Sequence, residues 1–139
     1  MKGFLKNLLW FGLLVMSLGV FAGCGIKKQE EKTGEPLSYT VVEELSIPEE
    51  LKEKIEEKKV TEFQISYADE EALYLAVGYG EQKTGGYSIV VEYLKESEDS
   101  IYLETNLVGP DKEEKVSLKP SYPYIVIKTE WRDKEVYYE

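Results

Sequence analysis

The 139-residue sequence contains no histidine and one cysteine, Cys24. Without histidine the chain lacks the commonest general base, the Ser–His and Cys–His nucleophile pairs and most transition-metal sites. A lone cysteine excludes a disulfide framework and a cysteine-based zinc site within one chain. Positive charge is scarce as well: 17 Lys and Arg face 27 Asp and Glu, for a net charge of −10. A surface that acidic repels phosphate backbones and anionic lipid heads, which argues against nucleic acid as a partner. The acids are interspersed with lysines ("EELKEKIEEKK", "DKEEK"), as on solvated faces, and form no paired-carboxylate motif. The composition therefore implies no enzyme, no metal and no cofactor.

Only the N-terminus carries a long apolar run. In "MKGFLKNLLWFGLLVMSLGVFAGCG", Lys2 and Lys6 precede an uncharged stretch that ends in Ala22-Gly23 and then Cys24. This is the layout of a secretory signal peptide, with the positive end held inside while the apolar segment enters the bilayer. Its end resembles a bacterial lipobox, with Phe21 standing where Leu is usual; that resemblance implies cleavage after Gly23 and diacylglyceryl attachment at Cys24. Two acyl chains anchor stably where one is marginal. The alternative is a retained membrane helix, since Leu8 to Ile26 is uncharged and long enough to span. Either way the chain is expected at the cell membrane, facing outside the cytoplasm. Removing residues 1–23 takes away two lysines and no acid, so the remainder carries −12. Attachment to the membrane must then come through lipid rather than charge.

Residues 24–36, from the lipidated cysteine through "GIKKQEEKTGEP", hold too little apolar surface to fold and read as a charged tether. Residues 37–139 suffice for one small domain. Within it, "SIPEELKEKIEEKK" predicts a single helix: Ser46 and Glu49 fit a capping box, Pro48 suits the first turn, and Ile47, Leu51 and Ile55 form an apolar stripe. Beyond Val60 the period is two. Phe63, Ile65 and Tyr67 share one face; so do Leu73, Leu75, Val77 and Tyr79; so do Tyr87, Ile89, Val91 and Tyr93; so do Ile101, Leu103, Thr105 and Leu107. "YIVIKTEW" and "EVYY" supply two more strands, and the short polar connections argue for antiparallel pairing. The expected fold is α+β and mainly β: an antiparallel curled sheet, small barrel or sandwich with one covering helix. Tyr74, Tyr93 and Tyr102 are expected at core or half-buried strand positions, and Trp131 at the end of a core.

One stretch asks for more. "GYGEQKTGGYS" links the second and third of these strands. A hairpin turn accounts for Gly85-Gly86, because glycine tolerates positive φ. It accounts less well for Gly78 and Gly80, which weaken a strand unless a bulge or close backbone approach needs them. "GYGEQKTGGYSIVVEYL", "IYLETNLVGP" and "PSYPYIVIKTE" together resemble the C-terminal domain of the PrcB protease-complex subunit family, with Gly80, Thr84, Gly85, Gly86, Tyr87 and Pro123-Tyr124 at the matching positions. The Thr-Gly-Gly loop is also similar to the loop of chagasin-type cysteine-protease inhibitors. The PrcB resemblance implies an extracytoplasmic, often lipid-anchored accessory protein, itself no catalyst, whose partner is a secreted protease or another envelope protein. Lys83, Thr84, Gly85, Gly86 and Tyr87 are then the candidate partner-binding residues. Two alternatives stand beside this: an inhibitor that enters a protease cleft with residues 84–87, and a structural envelope lipoprotein without a protease link.

Overall fold

The computed structural model of the chain describes residues 34–139. The segment read as a signal peptide, Cys24 and most of the charged tether lie outside the described residues. The chain enters the structure as strand β1 (Glu35–Pro36), within the stretch read as tether. Strand β2 (Thr40–Val41), a short 3-10 turn (Glu44–Ser46) and helix α1 (Glu49–Lys58) follow. Six further strands complete the domain: β3 (Glu62–Ala68), β4 (Ala72–Tyr79), β5 (Ser88–Glu96), β6 (Ser100–Val108), β7 (Tyr124–Glu130) and β8 (Glu135–Tyr138).

The strands form two four-stranded sheets, ordered β1-β5-β6-β8 and β2-β7-β4-β3, and neither closes into a barrel. All neighbours are antiparallel except β6 and β8, which run parallel. The mainly β, α+β expectation holds, with that one pairing as a correction. The cause is the connection, since β7 belongs to the other sheet and β8 returns alongside β6 rather than folding back on its predecessor.

Two apolar clusters set the layers. Leu51 and Ile55 of α1, with Ile47 before it, pack on Phe63, Ile65, Ala72, Tyr74, Ala76 and Val126 from one face of the β2-β7-β4-β3 sheet. From its other face Leu73, Leu75, Val77 and Ile127 meet Leu94, Ile101 and Leu103 of the second sheet. Strand β4 is thus covered on both sides, and all its residues up to Gly78 are buried. Each fully buried Leu or Ile contributes on the order of 1.5–3 kcal/mol, so Leu51, Leu75, Ile101 and Ile127, at 0% exposure, hold the three layers together.

Three local expectations are corrected. Ser46 caps nothing: it ends the 3-10 turn, where its N–H donates to the Glu43 carbonyl, and α1 begins after Pro48 without a side-chain cap. Alternation along β5 breaks at a bulge, where Val91 faces Thr105 and Tyr93 faces Glu104, leaving Glu92 as the extra residue. The bulge turns Leu94 rather than Tyr93 toward Val91 and the inter-sheet core, while Tyr93 stays half-buried and its hydroxyl donates to Glu139. Trp131 closes no core and is 49% exposed. Tyr74 is buried as expected, and half-buried Tyr102 stacks on Tyr137 at the sheet edge.

Candidate functional site

The glycine-rich stretch is not a hairpin. Strand β4 lies in one sheet and β5 in the other, so residues 80–87 form a crossover between layers. A hairpin would inherit its hydrogen bonds from the flanking ladder; a crossover must find partners elsewhere for its backbone groups. It finds them in the segment between β6 and β7. Gln82 and Ser121 exchange two backbone bonds at 2.8 and 3.0 Å in an isolated antiparallel bridge. The Gly85 N–H donates to the Ser117 carbonyl at 2.9 Å, and the Ser121 hydroxyl donates to the Thr84 carbonyl at 2.6 Å. The two loops therefore present one composite surface.

The glycines have separate reasons. Gly78 lies opposite Phe63 in the β3–β4 register, and any Cβ there would sit 2.1 Å from the Phe63 ring. Gly80 and Gly86 adopt positive φ, 75° and 87°, which L side chains avoid. Gly85 has neither constraint: its φ is negative, and a Cβ would meet nothing nearer than Ser117 at 3.5 Å, an ordinary contact. The fold requires the other three glycines and would accept alanine at Gly85.

The remaining candidates divide. Lys83 is exposed. Thr84 is half-buried, and its hydroxyl donates to the adjacent Gly85 carbonyl at 3.1 Å, so that group is already engaged. Tyr87 is half-buried with its ring against Gly109. Beside them stands a residue that sequence reasoning missed. Leu118 follows Ser117, the residue that holds Gly85, and is 86% exposed. A leucine between Ser117 and Lys119 in an irregular segment carries no periodic signal. Only the register between the two loops brings it next to Gly85.

Charged groups border this surface. The Tyr122 hydroxyl donates to Glu81 at 3.1 Å, which raises the Tyr122 pKa, and the Lys59 ammonium lies 5.4 Å from the centre of the Tyr122 ring. No cluster of three or more His, Cys, Asp or Glu side chains suited to a metal occurs among the described residues. Nor is any helix among them long and apolar enough to cross a membrane.

No curated protein and no solved structure matches the chain. One family model does, across residues 73–130. The match runs from β4 to β7 and takes in both loops of the composite surface, while α1, β3 and β8 lie outside it. The β4–β7 portion of this chain is thus similar to the PrcB C-terminal domain.

Proposed function

We propose that this chain is an extracytoplasmic accessory module, anchored through lipid at Cys24, that associates with a secreted protease or another envelope protein through the composite loop surface. The carrying observation is the pairing of Gly85, which the fold does not require to be glycine, with Leu118, an 86% exposed leucine on the loop that holds it. A bare backbone beside a protruding apolar side chain suits a partner that approaches closely and covers the leucine. Apolar anchors ringed by polar neighbours carry most of the energy of such interfaces. Lys83 and Thr84 form part of that rim. The match to the PrcB C-terminal family supports the protease side of the reading, because it points to a complex-associated subunit.

The test pairs affinity with stability. Gly85→Ala, Leu118→Ser and the double change Lys83→Ala with Thr84→Ala should each leave the melting temperature within about 3 °C of the parent. Surface changes away from special features usually stay within about 0.5 kcal/mol. Each should also weaken capture of the protease or envelope partner from native envelope extract at least tenfold, about 1.4 kcal/mol. Unchanged capture by all three folded variants would return both loops to a purely structural role. If the captured protease loses activity on binding, the inhibitor reading replaces the accessory one.

A further inference from the structure

Strand β3 forms one edge of the β2-β7-β4-β3 sheet and differs from the other three sheet edges. Strands β1 and β2 are two residues each, and β1 contains Pro36. Strand β8 has four residues and begins at Glu135. Such shortness, proline and charge are the usual devices that block further pairing. Strand β3 has seven residues, Glu62–Ala68, in unbroken register with β4, with no proline, no lysine and no bulge.

The ladder fixes which backbone groups face outward. The Asp69 N–H donates to the Ala72 carbonyl, which makes 69 and 72 a hydrogen-bonded pair, and alternation then assigns Tyr67, Ile65 and Phe63 to bonds with β4. The Tyr79 N–H donates to Pro123 on the opposite side of β4, which requires the same phase. Glu62, Gln64, Ser66 and Ala68 therefore direct their N–H and C=O groups away from the sheet. All four residues are exposed, and these groups have no backbone partner among the described residues.

Their side chains point toward the second sheet: Ser66 shares a 2.7 Å hydrogen bond with the Tyr138 hydroxyl. Beneath the start of β3 an open, largely polar cleft of about 430 Å³ is lined by Glu62, Gln64, Tyr79, Thr105 and Glu139 among others. A strand added to β3 would send every second side chain to that side. Two carboxylates and no cation line the cleft, so lysine or arginine suits those alternate positions.

We propose that β3 is a strand-addition site for an extended partner segment that carries Lys or Arg at alternate positions. Backbone bonds to Glu62, Gln64, Ser66 and Ala68 supply the register, and Glu62 and Glu139 select the charge. A second copy of the chain fits less well, because two chains of net charge −10 repel. This surface is independent of the loop surface proposed above.

The test uses the full chain in detergent micelles and a blocked ten-residue peptide alternating lysine with valine. The peptide should bind and slow hydrogen exchange at the Gln64 and Ser66 amides. The same peptide with N-methylated amides on its bonding edge, or with glutamate for lysine, should bind at least tenfold more weakly. Gln64→Lys, an exposed change on the outward phase, should also reduce binding at least tenfold while leaving the thermal midpoint in place. Glu62→Gln should weaken the lysine peptide and leave a valine–threonine peptide unaffected. Binding without protection of those two amides would overturn the proposal, as would equal binding of the N-methylated peptide. Dimerisation of the chain that Gln64→Lys abolishes would also overturn it, since the occupant would then be a second copy.

Discussion

Replacing Gly78 by alanine should destabilise the domain by about 1–2 kcal/mol, although alanine is ordinarily the better strand residue. A Cβ at this position would lie 2.1, 2.5 and 2.7 Å from Cε1, Cδ1 and Cζ of Phe63. Non-bonded carbons prefer about 3.5–4.0 Å, so the ring must withdraw by more than an ångström. Phe63 is 7% exposed and packs in the cluster under α1, so it has little room to move. Overpacking of this kind typically costs about 1–3 kcal/mol. The reduced entropy of the unfolded alanine chain returns roughly 0.4–1 kcal/mol of that. For a domain of this size each kcal/mol moves the thermal midpoint by about 4–8 °C. Residues 34–139 expressed alone, unfolded by heat and by urea and followed by circular dichroism, would provide the measurement. Phe63→Leu should relieve the clash, so the double variant should be more stable than additivity allows by about 1 kcal/mol. A Gly78→Ala variant as stable as the parent, or strict additivity with Phe63→Leu, would refute the close-approach explanation.

Three other perturbations test separate parts of the structure. Partial desolvation pushes the Glu96 carboxyl up, but hydrogen bonds from Arg132 and Lys134 and their charges outweigh it and hold it below its ordinary value. A lowered folded pKa gives stability that is present above the unfolded value, about 4.3, and lost as pH falls through the folded one; Glu96→Gln should remove that acid-side loss and cost about 1 kcal/mol at neutral pH, read from urea midpoints at pH 7 and 3. Burial pushes the Tyr138 hydroxyl up to about 12, with the Ser66 hydrogen bond acting in the opposite direction. The proton held in the folded state means stability is complete below about pH 10 and falls toward pH 12, so Tyr138→Phe should show a shallower alkaline decline in the same titration. Cys24→Ala should abolish acylation and processing, and an intact Met1 with an unmodified Cys24 thiol in the wild-type protein, by mass spectrometry, would exclude the lipid anchor.

Positions facing a core were legible where the period was regular. Alternation alone places Phe63 and Ile65, and Leu73, Leu75 and Val77, on apolar faces, and all five are buried. The stripe of Ile47, Leu51 and Ile55 likewise gave the buried face of α1. What a single strand's pattern cannot reveal is which sheet it joins. The β4–β5 connection has the residues of a hairpin, yet it changes layers, because the partners of both strands come from distant segments. The double burial of β4 was hidden by Ala72 and Ala76, too small to register as an apolar face. The bulge at Glu92 was hidden too, since one extra residue leaves the composition of a strand unaltered. Gly78 and Gly80, which a hairpin turn alone leaves unexplained, each have their own cause: a ring against one and a positive φ at the other. Leu118 was out of reach, because its importance depends on a register between loops more than thirty residues apart in sequence.

The path of the chain through its two sheets also bears on how it folds. The β3–β4 and β5–β6 hairpins pair segments adjacent in sequence, but β4 gains its second neighbour only when β7, some fifty residues later, pairs along it. Loop closure over that span slows such pairing relative to a hairpin. Until it occurs, the uncharged stretch Ala72-Leu73-Tyr74-Leu75-Ala76-Val77 has an open side. Short uncharged segments of high β propensity are those that pair between chains. Refolding yield should therefore fall with protein concentration. A variant that delays β7, such as Ile127→Thr, should aggregate from the folding intermediate before it measurably loses equilibrium cooperativity.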